Sequence, residues 1–283
     1  MKGLIEKRWV GLTHVIFFTV CVLTLTLSGV PAAAITGGVP DGGAHPNVGL
    51  MGMFYEGVPV GACTATLISE DIVLTAAHCI ENALSFGVGV MVMVSFDEDP
   101  VTNPGAADWK AVSQMIMHPD YNYWMPRSDP HDIGLLMLEE EVEDILPATL
   151  PGEGFLDDLK AAGELSYGYD KAQFTVVGFG AVLVWPPPVI ELIPHPRRYA
   201  QSEYRSLLKN WLHLSQNMAT DDGGSCFGDS GGPVFWTDEV GNETIVGITS
   251  WGDPNCISPS FNYRVDTAES MDFIFTFLPG VGF

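Results

Sequence analysis

From residue 35 onward, apolar residues gather in short runs separated by Gly, Pro, Asn and Asp. Residues 48–54, 64–68, 72–75, 133–138, 174–177 and 244–249 are runs of this kind, rich in Val, Ile, Leu and Thr, and residues 88–96 alternate valine with methionine. Runs of strand length bounded by turn formers predict antiparallel strands packed as a sandwich or barrel, not βαβ units. Residues 267–278 differ: Met271, Phe273, Ile274 and Phe277 suit an amphipathic helix at the C-terminal end. The most proline-rich stretch, 185–196, predicts a surface loop of polyproline character inserted between strands.

The first 34 residues break this pattern. Lys2, Lys7 and Arg8 precede an apolar stretch over 9–30, which ends in Pro31-Ala32-Ala33-Ala34. A basic start, an apolar centre and small residues at the end predict a secretory signal peptide over 1–34, leaving a domain over 35–283. The apolar stretch is close to the ~20 residues a bilayer requires, so an uncleaved anchor competes. The small residues favour cleavage, and with it a secreted, extracellular protein with no stable membrane insertion. Export implies an oxidising compartment. Cys21 leaves with the signal, and Cys63, Cys79, Cys226 and Cys256 remain, allowing three pairings. The absence of a Cys-x-x-Cys pair argues against zinc.

Composition narrows the classes further. The chain has 283 residues, 47% of them apolar, enough for one large β domain with a substantial core. A net charge of −23 disfavours nucleic acid and anionic membranes as partners, since both would be repelled. Asp97, Glu98 and Asp99 could offer oxygen ligands to calcium, but a solvated acidic loop is the simpler reading, and neither metal nor cofactor is predicted. Asn242-Glu243-Thr244 is a glycosylation sequon, meaningful only in a eukaryotic secretory pathway.

Three segments carry candidate chemistry. A serine is a weak nucleophile unless a base takes its proton, a third group orients that base, and N–H donors meet the oxyanion. Gly228-Asp229-Ser230-Gly231-Gly232-Pro233 surrounds one serine with residues that permit a tight loop. Thr75-Ala76-Ala77-His78-Cys79 crowds a histidine with small residues, and Asp132 opens the apolar run 133–138, where a carboxylate would be partly desolvated. Singly, these read as a turn, a core histidine and a strand cap. In the order His, Asp, Ser they match the known order of one serine-protease constellation.

On these residues the chain resembles the chymotrypsin/trypsin-like serine proteases. The family's Thr-Ala-Ala-His-Cys stands at 75–79, its Gly-Asp-Ser-Gly-Gly-Pro at 228–233, its Ser-Trp-Gly at Ser250, Trp251 and Gly252, and its Asp-Ile-Ala-Leu-Leu-type strand at 132–136. The resemblance implies an all-β fold of two antiparallel six-stranded β-barrels with a C-terminal helix. It implies His78, Asp132 and Ser230 as the catalytic residues and the N–H groups of Gly228 and Ser230 as the oxyanion hole. It also implies disulfides Cys63–Cys79 and Cys226–Cys256, polypeptide substrates, and protein inhibitors as further partners. Members of the family insert a new N-terminal ammonium beside the Asp preceding the serine. Here that pair would be Ile35 and Asp229, with signal cleavage after Ala34 itself creating the active end.

One position departs from the trypsins. Six residues before Ser230, where an acid would select Lys or Arg, stands Gly224, followed by Ser225. With Ser250, Trp251 and Gly252 these residues are the expected substrate pocket. The far wall is expected from 258–263, with Phe261 a candidate to enter the pocket, and cleavage after uncharged, apolar residues follows. The expected activity is a serine endopeptidase working through an acyl-enzyme. The alternative is a catalytically silent, protease-like binding module, since a fold alone does not prove a function.

Overall fold

The computed structural model describes residues 33–124, 128–166, 172–184, 189–191, 194–220 and 222–278. The expected signal peptide falls almost wholly outside the described residues, as does 185–188 of the proline-rich segment. Two short strands, β1 (Ala33–Ala34) and β2 (Val39–Pro40), lead into the first barrel. That barrel is built from β3 (Val48–Tyr55), β4 (Val58–Leu67), β5 (Ile72–Thr75), β6 (Val90–Ser95), β7 (Trp109–Met117) and β8 (Gly134–Leu138). They close in the order β3-β4-β5-β8-β7-β6. The buried faces of β3, β4, β5 and β8 fill its interior, with Met51, Met53, Leu67, Leu74 and Leu135 fully enclosed.

The second half supplies β9 (Gln173–Gly178), β10 (Val182–Val184), β11 (Val189–Glu191), β12 (Arg198–Leu207), β13 (Trp211–Leu214), β14 (Pro233–Thr237), β15 (Glu243–Gly252) and β16 (Ser260–Arg264). Six of these run in the order β13-β16-β15-β14-β9-β12, and β12–β13 pairing closes them into a second barrel, with β2 added beside β12. β10 and β11 form a small separate sheet with β1. The all-β, two-barrel fold expected above is therefore the fold observed.

Three helices punctuate the strands. α1 (Ala77–Ser85) follows β5, because Ala76 is extended and the next residues are small and apolar; Ala77, Cys79, Ile80 and Ala83 are buried. α2 (Phe155–Ala162) joins the two barrels. α3 (Ala268–Phe277) is the expected C-terminal helix, begun by Thr267, whose hydroxyl accepts the Ser270 N–H at 3.2 Å. Among the described residues no helix is long and apolar enough to cross a membrane.

Polar side chains fasten the barrels together. Arg197, just before β12, is buried and donates from Nε to Asp41 at 2.9 Å. Its Nη1 reaches the first barrel, donating to the carbonyls of Val48 at 2.9 Å and Phe96 at 3.0 Å. His45 completes the cluster between Asp41 and Glu243 and stacks on Phe235. Burial alone would lower the His45 pKa, but hydrogen bonds to both carboxylates raise it to about 9. A buried charge cluster of this sort persists only when its members are mutually paired.

Candidate active site

His78 lies in the first turn of α1, and Asp132 lies just before β8, which pairs with β5. That pairing sets the two side chains face to face. His78 Nδ1 is 2.8 Å from Asp132 Oδ2, and the His78 backbone N–H donates to Asp132 Oδ1 at 2.9 Å. The Ser250 hydroxyl donates to the same carboxylate. Asp132 is 4% exposed, so burial pushes its pKa up; the charge of His78 and the hydrogen bonds from His78 and Ser250 outweigh this and hold it low. The opposite balance applies to His78: burial lowers its pKa, and the Asp132 carboxylate raises it beyond that.

Ser230 sits at the middle of the tight turn over 228–232. Gly231 has φ +79°, and a Cβ there would lie 2.1 Å from Thr75 Oγ1 and 2.5 Å from the Thr64 carbonyl, so only glycine fits. The turn is pinned at both ends. Thr64 N–H donates to the Ser230 carbonyl at 2.8 Å, Thr64 Oγ1 donates to the Gly228 carbonyl at 3.0 Å, and Gly231 N–H donates to Thr249 at 2.8 Å. The N–H groups of Gly228 and Ser230 have no partner among the described residues. Two free donors beside a serine are what an oxyanion requires. Thr64 belongs to the first barrel and the turn to the second, so this threonine, which its sequence context marks only as a strand residue, joins the halves at the site.

Ser230, His78 and Asp132 line one cavity of about 490 Å³, together with Tyr121, Ser225, Ser250, Trp251 and Gly252. The Ser230 hydroxyl makes no hydrogen bond to His78, whose ring nitrogens contact Asp132 and Cys79. Disulfides Cys63–Cys79 and Cys226–Cys256 are formed. The first ties β4 to α1 beside His78, and the second ties the serine turn to the loop after β15.

Asp229 is buried and turned away from the cavity. Its carboxylate accepts N–H groups from Cys226 at 2.7 Å and Gly180 at 2.8 Å, and it has no cationic partner among the described residues. Burial dominates these bonds and raises its pKa to about 7. Ile35 is buried at φ +51° and makes no bond to Asp229, and its neighbour Thr36 pairs with Gly224. The segment after Ile35 is thus docked against the loop leading to Ser230.

Phe261 does not line the cavity. It stacks on Trp251 with centroids 3.6 Å apart and meets His213 edge-on, because β16 pairs Phe261 with Trp251 across the sheet. In the acidic loop, Asp97, Glu98 and Asp99 accept backbone N–H groups from Asp108, Gly42 and Thr102. Asp129, His131 and Glu269 are close enough together to hold a metal ion, yet the Lys209 ammonium lies 3.9 Å from Asp129 and 3.6 Å from Glu269, supplying positive charge there.

The protein-family model described as Trypsin matches residues 44–274, which include every strand of both barrels. The chain belongs to the trypsin family. It is 28% identical to venom serine protease 34 of Apis mellifera over 219 residues, covering 75% of this chain and 50% of that protein. It is 31% identical to chymotrypsin-C of Bos taurus over 198 residues, 67% of each chain. It is 29% identical to a trypsin of Phaedon cochleariae over 214 residues, 70% of this chain and 71% of that one. The match thus spans half the length of the venom protease. Trypsin-family membership accounts for the two-barrel fold and for the hydrolase chemistry to be sought in the cavity between Ser230 and His78.

Proposed function

We propose that this chain is a secreted serine endopeptidase. Ser230 Oγ attacks the scissile carbonyl carbon while His78 Nε2 takes its proton. Asp132 holds the opposite ring nitrogen and stabilises the imidazolium. The N–H groups of Gly228 and Ser230 receive the oxyanion. The intermediate collapses as His78 protonates the leaving amine, and a water repeats the sequence on the acyl-enzyme. The observation that carries this reading is the Asp132–His78 pair at 2.8 Å sharing a cavity with Ser230.

Several parts of the reading extend beyond the chemistry. Gly224 puts no acid six residues before Ser230, where one would select Lys or Arg, which favours cleavage after uncharged residues. Cleavage after Ala34 would free the Ile35 ammonium to pair with buried Asp229, an otherwise uncompensated carboxyl. Extracellular polypeptides are the substrates, and protein inhibitors the competing ligands.

A second reading, a silent binding module, rests on the missing Ser230–His78 hydrogen bond. Labelling the secreted protein with a fluorophosphonate separates the two. A protease is labelled at Ser230 and cleaves a peptide library, while Ser230→Ala does neither; a wild type that is neither labelled nor active leaves the binding module. N-terminal sequencing of the same sample checks the processing step, which requires a mature start at Ile35.

A further inference from the structure

Gly224 lacks a side chain, but the space beside it is filled. Gln216, in the loop after β13, is 1% exposed. Its Nε2 donates to the carbonyl of Ser225 and lies 3.2 Å from the Ser225 hydroxyl. A carbonyl can only accept, so the NH₂ end of the carboxamide faces Ser225 and the oxygen points the other way. A Cβ built on Gly224 would lie 2.3 Å from Gln216 Cγ and 2.8 Å from Nε2. A Cβ built on Gly252, across the pocket, would lie 3.8 Å from Gln216 Oε1. The glutamine side chain therefore bridges the expected floor and the expected wall. The cavity beside Ser230 reaches Ser225, Cys226 and Gly252, while Gly224 and Gln216 are not among the residues that line it.

We infer that Gln216 is the specificity-determining residue of this pocket: its carboxamide closes the bottom and restricts the residue on the acyl side of the scissile bond to small, uncharged side chains such as Ala, Ser or Val. This rests on the protease reading above and sharpens it, since an empty glycine floor alone would admit large apolar residues. Gln216 also accounts for the glycine at 224. Any larger residue there overlaps the glutamine, so the two positions are coupled.

The pocket can be read without the chemistry. Peptides succinyl-Ala-Ala-Pro-X, with a free carboxylate and X as Ala, Val, Leu, Phe or Lys, are titrated by calorimetry into Ser230→Ala protein. Binding with X as Ala at least tenfold tighter than with Phe or Lys is expected. Adding Gln216→Ala is expected to shift the Ala-to-Phe ratio tenfold or more toward Phe. Gly224→Asp alone is expected to gain no affinity for the Lys peptide, whereas Gln216→Gly with Gly224→Asp gains it. Tighter binding of Phe or Lys by the Ser230→Ala protein overturns the proposal, even if no Gln216 variant folds. So does a ratio that Gln216→Ala leaves within twofold. Fluorophosphonate labelling of the protein that retains Ser230 reports separately on the catalytic reading.

Discussion

His78 stands between opposing influences: burial disfavours its charge, and Asp132 favours it more strongly. The chemistry proposed needs the neutral imidazole, so activity should fall as pH drops through a His78 pKa held above the ordinary 6.5. Replacing Asp132 with Asn removes the carboxylate but keeps the burial. The His78 pKa should then fall below 6.5, read from the ring proton shifts by NMR, and kcat should fall by roughly 10⁴-fold. An unchanged His78 titration would mean that Asp132 does not set its charge. His78, Asp132 and Ser230 were legible because each sits in a distinctive run of neighbours. Thr64 and Gln216 were not. A threonine in a strand and a glutamine in a loop look ordinary until the fold shows what lies opposite them.

At the scale of elements, strands with clean apolar runs were readable: β3, β5, β8, β9 and β15 begin or end within a few residues of the expected runs. β7, β12 and β13 were not, and the reason is visible in their sequences. β7 reads WKAVSQMIM and is half-exposed along much of its length, while β12 reads RYAQSEYRSL with its charges in place of an apolar run. They are strands because neighbours on both sides supply ladder partners, a tertiary cause. The disulfide Cys63–Cys79 joins β4 to α1 through cysteines 16 residues apart in the chain. Replacing both cysteines with alanine should lower stability by about 3 kcal/mol through loop entropy, measurable by urea unfolding. Stability equal to the parent would show that packing of α1 against the barrel is sufficient alone.

For the molecule as a whole, the least settled charge is Asp229. Its folded pKa of about 7 stands above the ordinary 3.8, so the protein form is favoured while the carboxyl stays protonated. That contribution is fully present below pH 3.8 and is lost as pH rises through about 7, amounting to on the order of 4 kcal/mol. The full chain should therefore lose stability between about pH 4 and pH 7, the window set by that shift. Asp229→Asn should abolish the loss, and a chain beginning at Ile35 should diminish it, because the ammonium compensates the charge. Urea unfolding across this pH series checks all three; identical slopes for the full chain and Asp229→Asn would refute the assignment. His45 works in a separate window, since its raised pKa contributes stability that persists below 6.5 and is lost through about 9.

What the sequence by itself determined is local: strand-length apolar runs, the C-terminal helix, the glycine-bracketed serine, and the departure at Gly224. Each depends on a residue and its immediate neighbours, where backbone sterics and hydrophobic period act directly. What only the tertiary structure decided is everything that depends on residues distant in the chain. Closure of each barrel, the reach of Thr64 from one barrel to the serine turn of the other, and the Arg197 clasp are of this kind. So is the placing of Gln216 beside Gly224. The closeness of residue 216 to residue 224 leaves no periodic trace, because it is set by how loops between strands fold together and not by the order of side chains along one strand.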